Sequence, residues 1–175
     1  MNNLYIICGL SFAGKTTVAN AIATQFGIEQ VDVDWTKEQL FGPDIRDDEL
    51  SRDQWDTIYA ETDAGIVSSL DAGQAVIDAS RNFSRAERAH IRTLVAERGH
   101  RVVTIYVNTP EWLARQRWQA NRANPTRRDV TDADFEAIVR AWEAPLEDEQ
   151  PLVLPFDEPI ERWIEAHADM FVEVS

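Results

Sequence analysis

The sequence predicts a three-layer α/β fold, a five-stranded parallel sheet with helices on both faces, and three observations carry that expectation. Short β-like runs alternate with helical patterns along the chain, with no internal repeat and no domain linker. A glycine-rich turn, Cys8-Gly-Leu-Ser-Phe-Ala-Gly-Lys-Thr-Thr17, joins the first apolar run directly to a helical stretch. The length, 175 residues of which 44% are apolar, suits one domain around a single core.

Strands are expected at Leu4–Cys8, Gln30–Val33, Ala75–Ala79, Val102–Val107 and Leu152–Leu154, with helices in the gaps. Ser84 with Glu87 reads as a capping box that opens a helix bearing Ile91, Leu94 and Val95 and stopping at Gly99. Thr109-Pro110 starts another, which carries Trp112 and Leu113. Thr131 with Asp134 opens a third, whose Phe135, Ile138, Val139 and Trp142 share one face before Pro145 ends it. The tryptophans are expected in the core. Residues Asn124–Asp129 read as a loop between two helices.

The formal charge of −14 disfavours broad nucleic-acid binding. Its distribution is uneven: residues 81–128 hold eleven arginines against three acids, and residues 29–63 hold twelve acids against three bases. Segregation of this kind can build a cavity with one cationic and one anionic wall, although most such charges sit on solvated helix faces. The longest apolar run, Leu4–Leu10, is too short to span a bilayer, and no secretory leader is legible at the N-terminus, so a cytoplasmic location is expected. The one cysteine, Cys8, lies inside that run and is expected to be a small buried hydrophobe.

Gly9-Leu10-Ser11-Phe12-Ala13-Gly14-Lys15-Thr16 fits GxxxxGK[ST], after a strand and before a helix, as a P-loop requires. The fold class is therefore that of a P-loop NTPase. In such a loop, glycines let backbone N–H groups curl round a phosphate while the next helix aims its positive end at it. Lys15 is expected to reach the β- and γ-oxygens, and Thr16 to ligate Mg²⁺ through its hydroxyl. Residues 9–17, including Thr17, thus form the expected ATP cradle. A GTPase is disfavoured because no NKxD occurs, and the chain is shorter than motor and AAA+ ATPases need.

A small P-loop kinase additionally needs a base for an acceptor hydroxyl and arginines that neutralise the phosphoryl group in flight. Asp32 and Asp34 fall at the expected C-terminal end of the second strand, the edge where open α/β sheets bind ligands. Asp34, later in the chain, is the candidate base, and it equally suits an N-cap for a helix starting at Trp35. Asp78 ends the third apolar run and suits the acid that holds a Mg²⁺-bound water, or again a cap.

These residues resemble the small bacterial P-loop kinases grouped with zeta toxins, chloramphenicol phosphotransferase and the kinase domain of phage polynucleotide kinase. Beyond the P-loop, the resemblance rests on VDVDWTKEQLFG at 31–42, GQAVIDASRNFSRAERAHIRTLVAERG at 73–99, YVNTPEWLARQRWQANR at 106–122 and AWEAPLEDE at 141–149. It implies Asp34 as general base and a lid near residues 115–130. It also implies phosphate contacts from lid arginines, with Arg122 and Arg128 at the transferring group and Arg117 and Arg127 at the nucleotide. Polynucleotide kinases carry an arginine three residues after the base, where this chain has Lys37. The leading expectation is an ATP-dependent kinase acting on a hydroxyl of a small molecule, neutral or cationic. A polynucleotide or nucleotide 5′-hydroxyl kinase and a regulatory ATPase without acceptor are the alternatives.

Overall fold

In β1 (Asn3–Cys8), alternate side chains leave the sheet on opposite faces, and both faces are dry. Leu4 and Ile6 enter one apolar cluster, Tyr5 and Ile7 another. The protein, seen in a computed structural model that describes residues 3–125 and 130–172, is built outward from this strand. Around it lie β2 (Glu29–Val31), β3 (Val76–Asp78), β4 (Arg101–Asn108) and β5 (Leu152–Pro155), in the order β2-β3-β1-β4-β5 with every pairing parallel. The expected five-stranded parallel sheet is thus present.

The helices are α1 (Lys15–Phe26), α2 (Val33–Phe41), α3 (Arg52–Asp71), α4 (Arg85–Ala96), α5 (Glu111–Ala123), α6 (Asp132–Ala141) and α7 (Ile160–Ala166). On one face of the sheet Val18, Ala19 and Ile22 of α1 and Trp163 and Ile164 of α7 meet Tyr5, Ile7, Ile77 and Ile105. On the other, Ile66 and Leu70 of α3 and Ile91 and Val95 of α4 meet Leu4, Ile6 and Val76. Two helical layers enclosing one sheet follow from that split.

Capping fixes where the helices start. Ser84 accepts from the Glu87 amide, and Glu87 returns a bond from the Ser84 amide at 2.9 Å. Thr131 accepts from the Asp134 amide at 3.2 Å. Ser51 and Gln54 form the same reciprocal box at the head of α3, a 20-residue helix.

Three expectations need correction. Val33 opens α2 rather than ending β2, because the Asp32 carboxylate accepts the Asp34 amide at 2.8 Å and caps the helix there. Asp34 therefore sits in the first helical turn, not on a strand, and Asp32 is the cap. Among the tryptophans, Trp118 and Trp163 are buried, but Trp35 and Trp112 are 63% and 60% exposed. The arginine-rich segment is largely bound within the fold: Arg88, fully buried, forks onto Glu149 at 2.6 and 3.0 Å, and Arg81 bridges Asp63 and Asp78.

Cys8 is buried, its thiol 3.5 Å from the Ile105 carbonyl, and burial pushes its pKa up to about 11. It behaves as the small hydrophobe its position implied. Among the described residues, no helix is long and apolar enough to cross a membrane.

Candidate active site

The C-terminal ends of β1 and β3 and the start of α2 converge on one cavity of about 1010 Å³. Its lining includes residues 11–18 of the loop and α1, Asp32 and Asp34 at the head of α2, Ala79 and Ser80 after β3, Thr109 after β4, and Arg117 on α5.

The loop conformation needs its glycines at two places. A Cβ on Gly9 would stand 2.8 Å from the Val107 carbonyl oxygen, so β1 and β4 approach as they do only without one. Gly14, at φ 106°, takes the left-handed turn that starts α1. No side chain caps α1 and no acid lies in its first turn, which leaves its amide end to an anion. Leu10, Phe12 and Ala13 are buried, and Phe12 itself is left-handed at φ 65°. Its ring packs 6.2 Å from that of Phe135, which stacks on Trp118 at 4.3 Å, so α5, α6 and the loop share a small core.

Gly9 and Leu10, expected in the phosphate cradle, do not line the cavity. Their carbonyls accept the Lys15 ammonium at 2.9 and 3.0 Å. Lys15 is half-buried rather than simply exposed, and its charge is held at the mouth of its own loop. Thr16 and Thr17 stand exposed in the first turn of α1. Arg117 spans from α5 to the loop, donating to the carbonyls of Ala13 at 2.7 Å and Phe12 at 3.3 Å. Thr109, expected only as part of a helix start, donates to the same Ala13 carbonyl at 2.8 Å. Its place at the C-terminal end of β4 is the signal that could have found it.

On the acidic side, the Asp34 side chain is 72% exposed, and one oxygen accepts the Lys37 ammonium at 2.9 Å. Lys37 is buried and also bonds Asp47 at 2.8 Å. Burial works against that ammonium, yet the bonds to Asp47 and Asp34 outweigh it and raise its pKa above the ordinary lysine value.

Asp78 does not line the cavity. It is fully buried, with one oxygen taking the amide and hydroxyl of Ser80 at 3.1 and 3.0 Å and the other taking Arg81 at 2.8 Å. Ser80 stands between Asp78 and the cavity and also accepts the Val33 amide at 3.1 Å. Arg122 turns toward α6: its guanidinium lies 4.5 Å over the Trp118 ring and bonds Asp132 and the Val130 carbonyl. Arg127 and Arg128 lie outside the described residues. Of the expected site, the cavity thus gathers residues 11–17, Asp34 and Arg117, and leaves out Gly9, Leu10, Asp78 and Arg122.

A profile of the AAA domain family matches residues 4–145. The chain belongs to that family. This AAA domain shares its fold with solved P-loop kinases. A putative kinase from Chloroflexus aurantiacus aligns with 22% identity and a TM-score of 0.74 over 98% of each chain. A sugar kinase from Janibacter sp. aligns at 19% and 0.68, covering 97% of this chain and 93% of that one. The Mycobacterium tuberculosis APS kinase CysC, solved with AMPPNP and APS, aligns at 20% and 0.70, covering 97% and 96%. No curated protein matches the sequence. Identities this low describe the fold of the AAA domain and leave its chemistry to its own residues.

Asp32 offers a test of the cavity's electrostatics. Burial pushes its carboxyl above the ordinary aspartate value, the Asp34 amide opposes this, and the charges of Asp34 and Asp78 add to it. A folded-state pKa above the unfolded value means that the folded chain binds more protons, so stability falls as pH rises through that window. Asn caps a helix as well as Asp does. Asp32→Asn is therefore expected to melt above the parent at pH 7, with the difference disappearing below about pH 3, where both states of the parent are protonated. Thermal melts at the two pH values check it, and a variant less stable at pH 7 would contradict it.

Proposed function

We propose that this AAA domain is an ATP-dependent phosphotransferase that moves the γ-phosphoryl group of ATP to a hydroxyl of a small molecule. The single observation that carries the reading is the shared cavity: the P-loop and Arg117 meet Asp34 in one space large enough for a nucleotide and a small acceptor. Likeness in fold to a sugar kinase and an APS kinase supports it.

In this reading the amides at the head of α1 and Lys15 hold the triphosphate, and Arg117 meets the charge on the transferring group. The Thr16 hydroxyl, exposed beside Lys15, suits a Mg²⁺ ligand, while the buried Asp78 is already engaged by Ser80 and Arg81. A bound Mg²⁺ would neutralise phosphate charge. Asp34 takes the proton from the acceptor hydroxyl as its oxygen bonds to the γ-phosphorus, while the bond from that phosphorus to the β–γ bridging oxygen breaks and ADP leaves. Lys37 holds one oxygen of Asp34, which lines the cavity. The acids Asp32, Asp34 and Glu158 in the lining favour a neutral or cationic acceptor over an oligonucleotide.

The test is transfer of label from γ-labelled ATP to a panel of hydroxylated small molecules, with Asp34→Asn beside the parent. Mg²⁺-ATP affinity is expected to stay nearly unchanged and transfer to fall by roughly 10² or more, the usual weight of a positioned base. An Asp34→Asn protein that transfers as well as the parent would remove Asp34 from the mechanism. Faster transfer to an oligonucleotide 5′-hydroxyl than to any small molecule would overturn the acceptor class.

A further inference from the structure

Beside the edge strand β2, a second cavity of about 640 Å³ opens between α2 and α3. It meets the transfer cavity at Gln30, Val31 and Asp32 and differs from it in character. Glu29, Asp32 and Glu61 line it, and among the described residues no lysine, arginine or histidine does. Lys37, next in sequence to the lining residue Thr36, bonds instead to Asp34 and Asp47. Trp35 forms an aromatic wall that is 63% exposed. The buried hydroxyls of Thr36 and Thr62, bonded to each other at 3.1 Å, give it a polar element.

Gly65 completes the space. It lies inside α3, where glycine is less stable than alanine, and a Cβ built there meets nothing within 4 Å. No neighbour requires the missing side chain, and its absence keeps that wall open. Among the described residues, no three carboxylate, histidine or cysteine side chains are grouped to hold a metal ion. The negative field is spread around an aromatic face, an arrangement suited to a bulky, weakly hydrated cation.

The geometry points to a binding site for a small organic cation in this cavity, an ammonium or guanidinium group resting on Trp35 within the field of Glu29, Asp32 and Glu61. The site needs neither the P-loop nor nucleotide, so it stands or falls apart from the phosphotransferase reading.

Calorimetric titration with choline, and with its uncharged isostere 3,3-dimethylbutan-1-ol, tests it near 0.01 M ionic strength, where the Debye length is about 30 Å. Choline is expected to bind saturably at one site and at least about tenfold more tightly than the isostere. Trp35→Ala should weaken choline at least about fivefold. Gly65→Leu should intrude on the open wall and weaken choline at least about fivefold while melting no lower than the parent, since leucine is the better helix former. Lys15→Ala should bind choline as the parent does even when nucleotide turnover is lost. Equal binding of the isostere, no saturable choline binding, displacement of choline by equimolar Mg²⁺, or unchanged affinity in both cavity variants would overturn the assignment.

Discussion

Lys15→Ala is expected to lower nucleotide turnover by at least about 10³-fold and to leave the fold in place, since an ammonium aimed at the β- and γ-oxygens acts most where charge shifts during transfer. The ammonium bonds the carbonyls of Gly9 and Leu10, buried residues behind the lining, while Lys15 itself lines the cavity, so that water entering in its place can reach them. Water can replace those bonds, so the loss of stability should be about 1 kcal/mol and the melting temperature should fall by no more than about 4 °C. ATP turnover and a thermal melt on the same sample separate the two effects. Unchanged affinity and turnover would remove the P-loop from the function; a collapsed melt would assign Lys15 a structural role instead.

Arg117→Ala should be nearly as severe, roughly 10³-fold in transfer, because an arginine that meets the transferring phosphoryl group carries a large share of its stabilisation. Its guanidinium already touches the loop through the Ala13 and Phe12 carbonyls, and a Cβ on Gly14 would stand 3.5 Å from it. Arg117→Lys keeps the charge but not the fork and should recover only part of the rate. Arg122→Ala is the comparison, since its guanidinium is bound to α6 and its loss should register mainly in stability. Less than a tenfold fall in Arg117→Ala would show that the arginine shapes the loop without meeting the phosphate.

Much of this fold was legible because it rests on local chemistry. The capping box at Ser84 and the cap at Thr131 are written in residues three apart, and the sheet's inner strands are near-continuous apolar runs. The P-loop was legible for the same reason, since backbone curvature and charge are set within eight residues. The differences lie where a side chain has several partners open to it. The end of β2 depends on Asp32 choosing a cap over a pleat, and Arg88 is buried only because Glu149, far along the chain, meets it. Asp78 reads as a metal-side acid in sequence, yet Ser80 and Arg81 surround it in the fold. Trp35 and Trp112 stay exposed although Trp118, on the same helix as Trp112, is buried, because each tryptophan's side of its helix decides its burial.

The tilted contact of Phe12 with Phe135, and the stack of Phe135 on Trp118, bear on the order in which the protein is made. As a ribosome releases the chain, the glycine-rich loop emerges among the first residues, long before either ring that supports it. Contacts between such distant positions form late, after the entropy of closing a long loop has been overcome. A nascent chain ending before α6 therefore has the motif without the ring that buttresses it.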